Sequence, residues 1–299
     1  RNNVARAQFY SELVLGALGE ADQAADKDAR EKAIASADSW LARMKEEIDP
    51  GQLEVRFLVA NILNMKGEIV EATKEAEAAE RAAGSRGHLG LQVLLGEVYS
   101  RQQQWGAAES AIKKALTMSP ESPGLILRLA QLYLQQNKAN DALTLLKPMD
   151  SSARGQFLRT NPSAARLRAD ALRQLGQYEQ ALAESARSGP GSVADEVREA
   201  QLLILSEKHA DAEKKLKTLL ASAPANIDVL RTLCGLYRDT NRINEATAAV
   251  KAALQQEPDN RQLKILEIDL LPGGNEEERK ARTLAVINDE KDEFVKALS

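Results

Sequence analysis

From Leu89 the chain reads Leu95-Gly96, Tyr99, Trp105, Ala108, Ile112 and Ala115, and then Pro120. Apolar and small residues at helical spacing on either side of a polar break before Trp105 predict two amphipathic helices joined by a turn. The same order returns from Ile227 as Leu233-Cys234, Tyr237, Ala246, Val250, Ala253 and Pro258. Fainter copies lie between: from Pro123, Leu129-Ala130, Tyr133, Ala142 and Leu146; from Pro162, Ala169, Leu172, Gly176, Tyr178 and Ala181; from Val193, Ala200, Leu203, Ala212, Leu216 and Pro224. Upstream, Leu53 to Gly84 carries Val59-Ala60, Leu63, Gly67, Ala72, Ala76 and Ala79.

The starts at 89, 123, 162, 193 and 227 lie 34, 39, 31 and 34 residues apart, and the stretch from Lys147-Pro148 to Gln156 is expected to absorb the long interval. The expected organisation is an atypical helix pair over 1–52, within Asn3 to Leu18 and Asp28 to Glu47. Six units follow at 53–88, 89–122, 123–161, 162–192, 193–226 and 227–260. A degenerate pair, Arg261 to Leu271 and Glu276 to Asp289, and the start of a further helix at Asp292 to Ser299 occupy 261–299, which suggests a longer array. A helix pair cannot bury its apolar face alone, so neighbours must stack. Gly96, Ala130, Ala169, Ala200 and Cys234 share one frame position, and Ala108, Ala142, Ala181, Ala212 and Ala246 another. Larger side chains there would force helices apart. Pro50, Pro120, Pro224 and Pro258 lack the amide hydrogen that would continue a second helix, so they read as stops.

These residues resemble the tetratricopeptide repeat, well over 53–260 and poorly in the flanks. The resemblance implies an all-α, right-handed superhelical solenoid of stacked antiparallel helix pairs, with first helices lining a concave groove that holds a peptide or a partner protein. The family's motif residues are structural, so no single function follows. One subset grips chaperone C-termini with a two-carboxylate clamp, and its residues are not found: Asn61 has Phe57 where a lysine is needed, and the next units offer Val93 with Glu97 and Leu127 with Gln131.

In that frame the inward first-helix positions are Phe57, Asn61, Asn64, Val93, Glu97, Arg101, Leu127, Arg128 and Gln131 in the N-terminal half. In the C-terminal half they are Arg166, Asp170, Arg173, Arg198, Gln201, Arg231 and Arg238. The second set is rich in arginine, whose guanidinium pairs bidentately with carboxylates, so an acidic partner fits it. Mutating Arg166, Arg198 and Arg231 together should weaken a salt-sensitive interaction. The plainer reading pairs these arginines with Asp170, Asp228, Asp239 or Glu196 as a solvated face.

Composition narrows the remaining classes. Of 299 residues 43% are hydrophobic, 28% charged and 4% aromatic, which excludes disorder and favours helix. The net charge of -4 at pH 7 argues against broad nucleic-acid binding. The longest apolar runs, such as Leu202 to Leu205, are too short for membrane insertion. The single Cys234 excludes an internal disulfide and fits cytoplasm and bacterial periplasm alike, so the compartment is open. Cys234 reads as inert packing, and Tyr99, Trp105, Tyr133 and Tyr237 as core. His88 reads as an exposed loop residue and His209 replaces an aromatic that opens a second helix, so neither suits a metal. Asp26-Lys27-Asp28 is a very weak metal signal. The glycine-rich stretches Gly84 to Gly90, Ser188 to Ser192 and Pro272-Gly273-Gly274 lack a phosphate-loop ending and read as turns. No catalytic residue, cofactor or metal is expected. The leading reading is a non-catalytic bacterial scaffold for another protein or peptide, attached to further repeats or domains. Two alternatives are a periplasmic helper of an exopolysaccharide export system and the substrate-presenting arm of an enzyme.

Overall fold

The computed structural model describes residues 2–84, 87–147, 153–189, 191–270, 277, 280–281 and 283–286. Its helices are α1 (Asn2–Gln23), α2 (Lys27–Glu47), α3 (Leu53–Lys66), α4 (Ile69–Ala83), α5 (Leu89–Arg101), α6 (Trp105–Met118), α7 (Pro123–Gln135) and α8 (Ala139–Leu146). They continue with α9 (Ala153–Thr160), α10 (Pro162–Gln174), α11 (Tyr178–Arg187), α12 (Val193–Leu205), α13 (His209–Ser222), α14 (Ile227–Asp239), α15 (Ile243–Gln256) and α16 (Arg261–Leu270). No strand occurs among the described residues.

The chain divides into two compact units, Arg1–Leu167 and Arg168–Ser299. In the first, α1 packs on α2, α3 on α4, α5 on α6 and α7 on α8, while α3 also touches α1 and α5, and α7 touches α9. In the second, α12 packs on α13 and α14 on α15, and α14 touches both α12 and α16. Within each unit these hairpins therefore close their apolar faces on their neighbours. Continuous clusters result, such as the one joining Val197, Leu216, Leu230, Leu233, Val250 and Leu263 in the second unit.

Small residues allow these approaches. Ala72, Ala108, Ala142, Ala181, Ala212 and Ala246 are all fully buried. A Cβ on Gly96 would lie 2.4 Å from Ile112 Cδ1 and 3.6 Å from the Ala108 carbonyl oxygen. The Cys234 thiol takes the equivalent place, 3.8 Å from the Ala246 carbonyl oxygen. Burial pushes that thiol up to about 11, so it stays protonated and inert.

One backbone device recurs that the side-chain pattern does not advertise. Gly67, Gln103, Asn137, Gly176, Glu207 and Asn241 all have positive φ. The amide of the residue after each reaches back to a first-helix carbonyl, as in Gln104 to Tyr99 at 2.8 Å and Lys208 to Leu203 at 2.9 Å. The positive-φ residue bonds one position later, as in Gln103 to Ser100 at 3.0 Å. This pair of bonds is the Schellman stop, which ends the first helix and aims the second. Gln103 and Glu207 hold this left-handed shape despite a Cβ that disfavours it by roughly 1–2 kcal/mol. Gln103→Gly and Glu207→Gly are each expected to stabilise the chain by about 0.5–1 kcal/mol, after glycine's own entropic cost, read as a raised urea midpoint. Destabilisation by both would show that their side chains make contacts that outweigh the strain.

Polar staples join successive hairpins. Glu109 on α6 accepts Lys113 at 2.7 Å and Lys138, at the start of the next hairpin's second helix, at 3.0 Å. At the equivalent site on α13, Glu213 accepts Arg242 at 2.6 Å and the Tyr237 hydroxyl at 3.0 Å. Hydrogen bonds from Lys113 and Lys138, and from Arg242 and Lys217, hold the two carboxyls down at about 2.

Some expectations are corrected. The long interval after α8 is not all turn, because residues 153–160 form α9. His88 is a half-buried N-cap, not an exposed loop residue: its Nδ1 accepts the Leu91 amide at 3.0 Å and its ring lies 4.8 Å from Phe57. Asp26 caps α2 by accepting the Ala29 amide at 2.7 Å. Ser85, Arg86, 148–152, Pro190, Pro272-Gly273-Gly274, Asp292 to Ser299 and most of Glu276 to Asp289 lie outside the described residues.

Candidate partner-binding faces

In the first unit, the residues singled out on α3, α5 and α7 meet one another. Asn64, almost fully buried, donates from Nδ2 to Glu97 Oε1 at 2.9 Å. Its carbonyl oxygens accept Arg101 Nη1, at 2.7 Å for Oδ1 and 3.0 Å for the backbone oxygen. Arg128 Nη1 stands 3.5 Å from Glu97 Oε2. One polar chain thus crosses three consecutive first helices.

Phe57 and Asn61 are spent differently. Phe57 packs half-buried in the apolar clusters and fills the space over Gly90. Asn61 donates to the Phe57 carbonyl at 2.8 Å on its own helix. Between α5 and α7 a cavity of about 150 Å³ opens, lined by the exposed Arg101, Arg128, Gln131 and Gln135, the half-buried Glu97 and Ser100, and the buried Gly96, Ile112 and Leu132. Arg128 and Gln131 are exposed. Val93 on α5 and Leu127 on α7 are half-buried. Arg166, half-buried on α10, belongs to this first unit and has partners of its own.

In the second unit the arginines fall into two groups. Arg198 holds Asp195 at 3.2 Å and Arg173 stands 3.9 Å from Asp170, both within one turn of their own helix. Burial raises the Asp170 carboxyl, while Arg173 and Arg198 pull it down and Asp195 pushes it up, so α10 and α12 share one field. Arg231 and Arg238 on α14 are exposed and form no ion pair among the described residues. Gln201 is exposed on α12. Glu196, considered from sequence as an arginine partner, binds Lys215 at 3.0 Å.

Among the described residues, no three His, Cys, Asp or Glu side chains group to hold a metal, and no helix is long and apolar enough to cross a membrane.

Comparison with known proteins agrees with this architecture. A family model described as "Tetratricopeptide repeat" matches residues 99–159 and 203–267. No curated protein matches significantly. A tetratricopeptide repeat protein from Parabacteroides merdae superposes with a TM-score of 0.58 at 16% identity, covering 94% of this chain and 99% of that one. The Pseudomonas aeruginosa pilF structure gives 0.57 at 19% identity, covering 77% and 97%. A structure of the APC/C hetero-tetramer Cut9-Hcn1 gives 0.56 at 12% identity, covering 83% and 49%. At such identities the likeness is one of fold.

Proposed function

We propose, from the premise that this chain is a tetratricopeptide-repeat protein, that it is a protein-interaction scaffold whose second unit holds an acidic segment of its partner against α12 and α14. Repeated hairpins expose a broad first-helix surface while the small residues that build it are buried, so recognition falls to exposed polar positions.

The observation that carries the acidic preference is the pair Arg231 and Arg238. They stand seven residues apart, two turns along one face of α14, exposed and without an ion-pair partner among the described residues. Their Nε and Nη groups can each meet a carboxylate bidentately. Arg198 on α12 pairs with the largely buried Asp195 at 3.2 Å, but its own side chain is 49% exposed and a guanidinium has donors to spare for a ligand carboxylate.

The test is capture of partners by the immobilised chain, followed by measurement of the recovered ligand's affinity. The variant R198A/R231A/R238A should weaken binding by about 10–100-fold, on the basis of roughly 0.5–1 kcal/mol per exposed charge contact, with unchanged circular dichroism. Binding by the parent should also fall as salt is raised. Equal affinity in parent and variant would end the acidic-partner reading.

A further inference from the structure

The cavity between α5 and α7 has a chemistry distinct from the arginines of α14, and it specifies an occupant more closely. Ile112 and Leu132 supply its apolar lining beside Gly96, whose carbonyl accepts the hydroxyl of Ser100, also in the lining, at 2.6 Å. Its volume of about 150 Å³ equals that of an engineered apolar cavity that holds benzene, so a leucine-sized side chain fits it.

The rim is cationic in balance. Glu97 is already engaged by Asn64 at 2.9 Å and by Arg128 at 3.5 Å. Arg101 spends one nitrogen, Nη1, on the two Asn64 oxygens. A guanidinium has five N–H donors, so Arg101 and Arg128 retain several, against a single rim carboxylate that is already engaged. Gln131 and Gln135 lie one turn apart on α7, both exposed, and carry amides able to bond an extended backbone.

We infer that this cavity is a side-chain subsite for an extended peptide, taking a leucine-sized aliphatic residue whose neighbour is aspartate or glutamate. This rests on the scaffold reading above. The aliphatic group replaces water over Ile112 and Leu132, the neighbouring carboxylate meets Arg101 and Arg128, and the glutamines align the backbone. Charge complementarity selects the carboxylate, and the aliphatic lining of Ile112 and Leu132 suits a side chain of leucine size.

A displayed library of randomised heptapeptides, panned against the immobilised full chain, tests it. Enriched peptides should pair Leu, Ile, Val or Met with Asp or Glu. In a synthetic peptide from that set, replacing the aliphatic residue by serine should cost at least about tenfold in affinity. Arg128→Ala should cost about 2–5-fold, as one exposed charge contact, and Gln131→Trp, which places an indole over the cavity, about tenfold, while circular dichroism is unchanged. Enrichment without this pair, absence of any enriched peptide, or affinity indifferent to both variants would overturn the subsite. If the subsite fails while R198A/R231A/R238A still loses its captured partner, the scaffold reading stands without it. Loss of neither interaction in any variant overturns both.

Discussion

Replacing Ala246 by leucine is expected to destabilise the chain by about 2–3 kcal/mol, because no space exists at the crossing of α14 and α15. Ala246 is fully buried, and the Cys234 sulfur sits 3.8 Å from its carbonyl oxygen. Three added carbons must push α14 away from α15. That movement propagates, since α14 also touches α12 and α16 and one apolar cluster runs from Val197 to Leu270. The control is Ala252→Leu on the exposed face of the same helix, expected to fall within about 0.5 kcal/mol of the parent. Urea unfolding followed by far-ultraviolet circular dichroism reads both. Equal midpoints for the two variants would show that the hairpin is looser than its small residues require.

This prediction uses what was most legible in the sequence. An alanine recurring at one place in successive helix pairs has little to offer but its size, and Ala108, Ala142, Ala212 and Ala246 proved fully buried. Pro123 opens α7, where a missing amide hydrogen costs nothing. The Schellman turns were less legible because their determinant is backbone geometry. Glycine at 67 and 176 hints at it, but Gln103 and Glu207 carry no such mark, and the return bonds alone reveal the left-handed residue. Helix α9 is not legible in the sequence because Ala153–Thr160 falls outside the repeating pattern, which has no place for an inserted helix.

The candidate faces were legible as positions and not as relationships. The frame could say that Asn64, Glu97, Arg101 and Arg128 belong to first helices, but residues 33 or 37 apart in sequence meet only once hairpins stack. Their mutual bonds change the reading: Asn64 is a buried strut that orients Glu97 and Arg101, so the available donors belong to the arginines. The inter-hairpin staples at Glu109 and Glu213 are invisible in the sequence for a similar reason. A glutamate on an exposed helix flank looks solvated until the next hairpin's Lys138 or Arg242 arrives beside it.

The ion pair between α10 and α11 yields the other large effect. Val59, Leu95, Leu129 and Leu233 occupy one frame position, where the fourth unit has Arg168. Arg168 Nε binds Glu184 Oε2 at 2.8 Å, with only 9% and 14% of the two side chains exposed. Water cannot replace a lost partner cheaply at such burial, and Arg168 keeps a further partner of its own, so Glu184→Ala is expected to destabilise the chain by about 2 kcal/mol. Arg168→Leu should cost less, because Glu184 keeps Arg187 at 2.7 Å and a leucine suits the position. The double variant R168L/E184L exchanges the pair for apolar packing and should lie within about 1 kcal/mol of the parent, since desolvating both charges offsets much of their attraction. A double-mutant cycle in urea should therefore show strong non-additivity, with a coupling of roughly 2 kcal/mol or more. Additive single changes, or a Glu184→Ala cost below about 1 kcal/mol, would mean that water reaches this pair and that α10 and α11 pack less closely than the alanines beside them, Ala169 and Ala181, allow.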